Sequence, residues 1–176
     1  GRGGGAVSVT APKGFRAAGV TAGLKASGRP DVALVVNDGP SNAAAAVYTS
    51  NRCRAHPVLW SEQVSADGVV RAVLLNSGGA NCYTGPHGFQ TTHASAERTA
   101  AGLVDCGAGD VVICSTGLIG EQLDRDRLFA GIDAALGALS PDGGQDAAVA
   151  IMTTDTRDKQ VTLTVGEGDG AWTIGG

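Results

Sequence analysis

The sequence predicts a layered α/β (α+β) domain that occupies residues 1–176 as a single unit. Short β-branched runs alternate with segments whose apolar residues recur at helical spacing, and no internal repeats or long linkers interrupt them. Hydrophobic residues make up 43% of the chain and charged residues 17%, which is enough apolar surface for one buried core. The glycine-rich residues 1–8 are expected to be a flexible N-terminal stretch.

The predicted strands are runs rich in Val, Ile, Ala or Thr that are bounded by Gly, Pro, Asn or Asp. Several are Ala/Val runs without clean alternation, which is typical of strands buried on both faces. These patterns predict strands at Phe15–Lys25, Asp31–Asn37, Ala44–Thr49, Val69–Asn76, Val111–Cys114, Lys159–Val165 and Ala171–Ile174.

The predicted helices are marked by start and stop signals as well as by spacing. The first has Pro86 in its first turn and places Phe89, Ala96 and Val104 at helical intervals before Gly107. The second is capped by Asp124. Together the signals predict helices from Pro86 to Gly107, from Asp124 to Ser140 and from Gly144 to about Thr153.

Charge and composition argue against several classes of function. The formal net charge is −4, from 13 basic and 17 acidic residues without a basic stripe, so neither nucleic acid nor a membrane surface is an expected partner. No apolar run reaches the roughly 20 residues that cross a bilayer, and no secretory signal pattern is present, so a soluble, cytoplasmic protein is expected. The four cysteines lie far apart without a CxxC pair, which predicts free thiols and no metal site.

Two glycine turns carry the clearest chemical signal, and each follows a β-branched run. Their sequences are NSGGAN at residues 76–81 and STGLIG at residues 115–120. Such turns let the backbone approach a ligand and leave N–H groups free to face negative charge. In the second turn, Thr116 and Gly117 could form an oxyanion hole for acyl transfer. An ordinary strand-to-loop turn with a capping hydroxyl is the open alternative.

A second polar segment, Met152 to Thr156, ends the third predicted helix with hydroxyls beside a carboxylate. Thr153 and Thr154 could hold an amino-acid substrate through their polar groups, or the segment could simply bond its own backbone. The chain offers no convincing nucleophile of its own, because nothing in the sequence brings Cys82 to a histidine and Ser115 lacks a GxSxG elbow.

Several short blocks, in this order, resemble the N-terminal (α) chain of the ornithine acetyltransferase family, the bifunctional glutamate N-acetyltransferases of arginine biosynthesis. The resemblance extends from about residue 9 to the last residue. It rests on Gly19-Val20 with Gly23-Leu24-Lys25, on residues 76–81 with Thr84-Gly85, on residues 115–120, on residues 150–156, and on Trp172-Thr173-Ile174-Gly175-Gly176.

The resemblance implies an α-β-β-α sandwich of the self-processing N-terminal-nucleophile-like aminopeptidase/ornithine acetyltransferase type, completed by a separate β chain. It implies a precursor that cleaves itself at an Ala–Thr bond, so that the N-terminal Thr of the β chain becomes the nucleophile. That Thr would carry an acetyl group from N-acetylornithine to glutamate as an acyl-enzyme. An α2β2 or larger assembly is implied, with no cofactor, although acetyl-CoA could serve as an alternative acetyl donor.

The resemblance assigns Thr116 and Gly117 to the oxyanion hole and the Thr153-Thr154 segment to substrate contact, with the choice between the two threonines left open. The lysine-bearing stretch and the Ala–Thr bond of the family do not occur in this chain, so it is expected to be active only with its β chain. The alternatives are a self-processing aminopeptidase or amide hydrolase of similar architecture, and a non-enzymatic small-molecule-binding domain that uses residues 76–81.

Overall fold

Four strands form one mixed sheet in the computed structural model, which describes residues 8–176; the N-terminal stretch expected at residues 1–8 falls almost entirely outside them. The neighbours β1–β2 and β2–β3 are antiparallel, whereas β3 and β4 are parallel. The parallel pair brings the carboxyl ends of β3 and β4 side by side. In sheet order the strands are β1 (Phe15–Val20), β2 (Val32–Asn37), β3 (Ala72–Ser77) and β4 (Val111–Thr116).

Helices cover both faces of this sheet, but unequally. Side chains alternate between the faces along each strand. Leu34 and Leu74 point into the larger core, where Trp60 and Ile132 pack against them, while Ala33 packs against the smaller helix on the other face. The first face therefore carries α1 (His56–Val64), α2 (Gly85–Ala101) and α3 (Arg125–Ala138), and the second carries α4 (Gly144–Ala150).

The predicted helix starts are confirmed, whereas two of the predicted ends lie too far along the chain. The Asp124 side chain caps α3 by accepting a hydrogen bond from the backbone N–H of Arg127. Helix α2 ends at Ala101 and leaves Val104 exposed, so the expected end at Gly107 is wrong. Helix α4 ends at Ala150, three residues before the expected end, and the N–H groups of Ile151 and Met152 close its last turn on the carbonyls of Ala147 and Val149.

One predicted strand does not form, and one helix is not predicted by the sequence patterns. Residues 44–49 form no strand; one isolated bridge joins Ala43 to Val69, and the Val47 side chain is almost fully exposed. Val47, Tyr48 and Thr49 favour a strand, but the alanines before them are weak strand formers with little side chain to bury, so the segment does not pair. Helix α1 is the helix that the sequence patterns do not predict, and it begins after Ala55 without a side-chain cap.

A separate hairpin follows α4 and leaves many apolar side chains exposed. It consists of the antiparallel strands β5 (Thr162–Val165) and β6 (Trp172–Gly175). Beside α4, an apolar groove of about 290 Å³ opens on the second face of the main sheet, lined by residues that include Val35, Val73 and Leu75. The expected layered α/β architecture is confirmed, and the second face of its main sheet is only partly covered by this chain.

The helices of residues 8–176 include none that is both long and apolar enough to cross a membrane.

Candidate functional site

The two glycine turns meet at one end of the main sheet and are hydrogen-bonded to each other. Because β3 and β4 run parallel, their carboxyl ends release residues 76–81 and residues 115–120 side by side. The backbone N–H groups of Gly78 and Gly79 both donate to the Thr116 carbonyl oxygen, at 2.9 and 3.1 Å. These two segments, called here the paired glycine turns, therefore form one unit.

Close backbone approach in this unit requires glycine at two positions. Gly117 has φ +135°, and a Cβ added there would lie 2.6 Å from the backbone nitrogen of Gly79. Gly78 has φ +136°, and a Cβ there would lie 2.9 Å from the Cβ of Leu24. L-residues with a side chain rarely adopt such φ values, and neither position has room for a methyl group. Contact between the turns therefore requires glycine at position 117, and contact with Leu24 requires it at position 78.

The geometry leaves two hydrogen-bond donors on the surface. The Thr116–Gly117 peptide is trans, so the Gly117 N–H points away from the carbonyl that the other turn holds. Both residues are exposed. Within residues 8–176, neither the Gly117 N–H nor the Thr116 hydroxyl has a protein hydrogen-bond partner. Two free donors on adjacent residues can stabilise an oxygen that becomes negative during acyl transfer.

A buried polar network joins the paired glycine turns to the start of α2. Asn81 is buried with φ +49°, and its side-chain nitrogen donates to the Gly88 carbonyl and to the Thr92 hydroxyl, both at 2.9 Å. The Thr84 hydroxyl donates to the Asn81 side-chain oxygen at 2.6 Å. Buried polar side chains that are fully paired in this way hold a single geometry.

The segment with Thr153 and Thr154 lies at the same end of the sheet. Ser77, which stands opposite Thr116 in the β3–β4 register, donates its hydroxyl to the Ala150 carbonyl at 2.5 Å. Ala150 ends α4, three residues before Thr153. Both threonine side chains lie on exposed residues. The structure therefore brings all four site residues expected from the sequence to one end of the sheet.

The connection between β1 and β2 braces this end. Asp31 is fully buried, and its carboxylate accepts hydrogen bonds from the backbone N–H groups of Leu24 at 2.6 Å and of Lys25 at 3.0 Å. Lys25 in turn donates to the carbonyl of Met152, the residue before Thr153, at 2.5 Å. Burial lowers the pKa of the Lys25 ammonium, against the opposing pull of the Asp31 carboxylate.

Asp155 anchors the backbone next to the two threonines. Its carboxylate accepts the Thr153 N–H at 3.2 Å and forms an ion pair with Lys159. The Lys159 hydrogen bond is the main reason that the pKa of Asp155 lies below its usual range, and the Thr153 N–H adds to the effect. The Thr153 N–H is thus bonded within the segment, whereas the Thr153 side chain belongs to an exposed residue.

Sequence reasoning missed Ser77 and Asp31. Their sequence signals, a serine at the end of one predicted strand and an aspartate at the start of another, are too common to single them out. Cys82 is buried, and His93 stacks on Trp60 with 4.9 Å between ring centroids, so no nucleophile–base pair forms there. No group of three or more His, Cys, Asp or Glu side chains in residues 8–176 could hold a metal ion.

Proteins of known sequence resemble this chain along almost its whole length. The ArgJ family model matches residues 16–176. The arginine biosynthesis bifunctional protein ArgJ of Streptomyces coelicolor is 61% identical over 170 residues, which are 97% of this chain and 43% of that protein. The ArgJ protein of Mycobacterium tuberculosis is 54% identical over 177 residues, with the same two coverages. The chain thus spans less than half the length of the curated relatives it matches.

Two solved structures share the fold. The crystal structure of ornithine acetyltransferase complexed with ornithine from Mycobacterium tuberculosis superposes with a TM-score of 0.91 at 54% identity, covering 96% of this chain and 89% of that chain. The crystal structure of the arginine biosynthesis bifunctional protein ArgJ from Bacillus halodurans has a TM-score of 0.86 at 32% identity, covering 96% and 87%. The polypeptides in these crystals are therefore close to this chain in length.

Proposed function

The chain belongs to the ArgJ family, and we propose that it is the α chain of a glutamate N-acetyltransferase (ornithine acetyltransferase) of arginine biosynthesis. The enzyme moves the acetyl group of N-acetylornithine to glutamate through an acyl-enzyme on the N-terminal Thr of a β chain. The observation that carries this proposal is the outward pair of free donors, the Thr116 hydroxyl and the Gly117 N–H, at the carboxyl ends of two parallel strands.

These donors suit both halves of an acetyl transfer. In the first half, the β-chain Thr hydroxyl attacks the acetyl carbonyl and its proton passes to the α-amino group of the same Thr. That proton then moves to the amide nitrogen as the C–N bond breaks, so ornithine leaves as the amine. That α-amino group has an unperturbed pKa near 8, which makes it a suitable base. In the second half, the amine of glutamate attacks the resulting ester, the ester C–O bond breaks, and acetylglutamate leaves while the amine proton returns through the α-amino group to the Thr oxygen. Each half passes through a tetrahedral oxyanion that Thr116 and Gly117 would stabilise.

The proposed substrate position lies at the same end of the sheet as the donors. The exposed hydroxyl of Thr153 or of Thr154 would contact the amino-acid portion of the substrate, next to the donors. Acyl transfer by a hydroxyl nucleophile with an adjacent amine needs no metal and no bound cofactor. The thioester of acetyl-CoA could serve as an alternative acetyl donor in the first half.

Lengths and exposed surfaces support a β chain cut from the same precursor. The matched Mycobacterium tuberculosis protein is more than twice as long as the aligned segment, whereas the matched chain in the crystal structure from that species is 89% covered. Self-cleavage of a precursor accounts for both lengths. The β chain would cover the apolar groove and the β5–β6 hairpin. We propose a cytoplasmic assembly with two or more αβ pairs.

The test is to incubate the complete, processed enzyme with N-acetylornithine, with and without glutamate, and to measure acetylglutamate, ornithine and acetate. A transferase forms acetylglutamate and ornithine in equal amounts when glutamate is present. Acetate release that is independent of glutamate would instead identify the amide hydrolase alternative. Turnover of N-acetylornithine by the 176-residue chain, free of any second fragment, would refute the division of the site between two chains.

A further inference from the structure

Asn76 is the first residue of the paired glycine turns, and its side chain bonds to both of them. It is the fifth residue of β3 and only 4% exposed. Its side-chain nitrogen donates to the Gly79 carbonyl at 3.1 Å, and its side-chain oxygen accepts the Ser115 hydroxyl at 2.5 Å. One short side chain thus links the first turn to the residue that precedes Thr116 in the second.

These bonds lead directly to the donors. Gly79 also donates its backbone N–H to the Thr116 carbonyl, so the position of Gly79 sets the plane of the Thr116–Gly117 peptide. The direction of the Gly117 N–H is fixed by that plane. If Gly79 were free to rotate, the Thr116 carbonyl would lose one of its two hydrogen-bond donors, and the orientation of the Gly117 N–H would no longer be fixed.

The Asn76 side chain lies in the interior of the protein. The cavity that it lines lies between the sheet and α2, among polar side chains such as Asn81 and Thr92, and its volume is about 10 Å³. That space is near the minimum for a single water molecule and far below the size of an amino acid. An amino acid does not fit in this cavity, so we expect Asn76 to act through the residues that it bonds and not by contact with the substrate.

We propose that Asn76 is a positioning residue for the oxyanion donors. It acts through Gly79 and Ser115, holds the Thr116–Gly117 peptide in the orientation that stabilises the tetrahedral intermediate, and does not bind substrate. This inference rests on the proposed function. A misplacement of catalytic groups by a fraction of an ångström lowers the rate of the chemical step rather than the affinity for the substrate.

The first test is Asn76→Ala in the complete, processed enzyme. We expect kcat for acetyl transfer to fall about 10- to 100-fold with little change in KM. The matched control is Asn37→Ala. Asn37 also ends a strand and bonds the following turn, with its side chain on Ser41 and Gly39, but it lies at the opposite end of the sheet. This control should leave kcat unchanged.

A double variant separates positioning from general destabilisation. If Asn76 acts through the donors, Asn76→Ala should lower kcat by a smaller factor in a Thr116→Ala background than in the wild type, because one of the two donors is already absent. A destabilised but otherwise normal enzyme would show the two losses multiplied. Ser115→Ala offers a milder test if Asn76→Ala is not processed, with an expected loss in kcat of about 3-fold.

The outcomes separate this inference from the proposed function. If Thr116→Ala leaves kcat unchanged, the donor assignment itself fails. If Thr116→Ala lowers kcat while Asn76→Ala, or Ser115→Ala in its place, leaves kcat at the wild-type value, the positioning role alone is wrong. Fully multiplicative losses in the double variant would also reject it.

Discussion

The paired glycine turns and the β5–β6 hairpin differ in how far other residues of this chain bury them and hydrogen-bond to them. In the turns, Ser77 and Asn81 are buried, and their side chains are hydrogen-bonded to α4 and α2. In the hairpin, Leu163 and Trp172 are each 55% exposed. An isolated two-stranded hairpin is at best marginally stable in water, and clustered exposed apolar side chains mark an interaction surface.

The difference separates two tasks within one chain. The donors must not move when charge develops, and a buried, fully paired network supplies that rigidity. The hairpin and the apolar groove beside α4 present apolar surface that the rest of residues 8–176 leaves open. We infer that the donors are held in place within this chain alone, whereas the apolar surfaces are interaction surfaces for a partner chain.

Gly117→Ala should produce the largest effect on the preformed region. The added methyl group would meet the Gly79 nitrogen at 2.6 Å in a backbone conformation that alanine disfavours, so the turns must separate. We expect kcat to fall by about 10³-fold or more, beyond the usual loss of one donor. The control is Gly120→Ala, in the same turn with φ +83° but open space around it. Equal losses in the two variants would show that the close contact is unimportant.

Leu163→Asp should produce the next largest effect, on assembly rather than on chemistry. A carboxylate on the hairpin would be buried without a partner if the β chain covers this surface. We expect the yield of assembled enzyme to fall about 10-fold or more. Val104→Asp is the control, since Val104 is exposed beyond the end of α2. Wild-type assembly of Leu163→Asp would place the hairpin outside the interface.

Asp155→Asn should have a smaller effect, on substrate affinity. It weakens the anchor of the Thr153 backbone, so we expect KM for N-acetylornithine to rise about 2- to 5-fold with kcat nearly unchanged. Asp158→Asn is the control, because Asp158 lies in the same segment and bonds Gln160 instead. An unchanged KM in Asp155→Asn would remove this anchor from the binding site.

The pKa of Asp155 sets the pH dependence of the same anchor. Because its folded pKa is lowered, the anchor is complete above the unfolded value near 4 and is lost only as pH falls through the lower folded value. This group should therefore leave the KM of the wild-type enzyme constant between about pH 5 and 8. A KM that rises within that range in the wild type but not in Asp155→Asn would contradict this assignment.

Local signals made part of the fold predictable from the sequence. Helix α3 follows from its Asp124 cap, and strand β4 from a β-branched run that ends in glycine. Helix α1 could not be predicted in the same way, because Ala55 provides no side-chain cap. Along α2 the buried face consists largely of Thr, Ser, Gly and Ala, which do not mark a core by hydrophobicity.

For the candidate site, the sequence indicated candidate residues but not their arrangement. Glycine and hydroxyl residues after strands pointed to Thr116 and Gly117. That the two turns bond each other depends on the parallel β3–β4 register, which no local pattern encodes. The brace extends from Asp31 through Lys25 to Met152, which is 127 residues from Lys25 in the sequence, so it arises only from tertiary contact.

The most direct measurement is kcat for acetyl transfer by Thr116→Ala in the complete, processed enzyme, with Thr49→Ala as a control at an exposed threonine outside the paired glycine turns and the hairpin. We expect kcat to fall by about 10²- to 10³-fold with a modest change in KM, because one of two oxyanion donors is lost. The control should keep wild-type kcat. A correctly cleaved Thr116→Ala enzyme that turns over at nearly the wild-type rate would contradict the assignment of the donors to this chain.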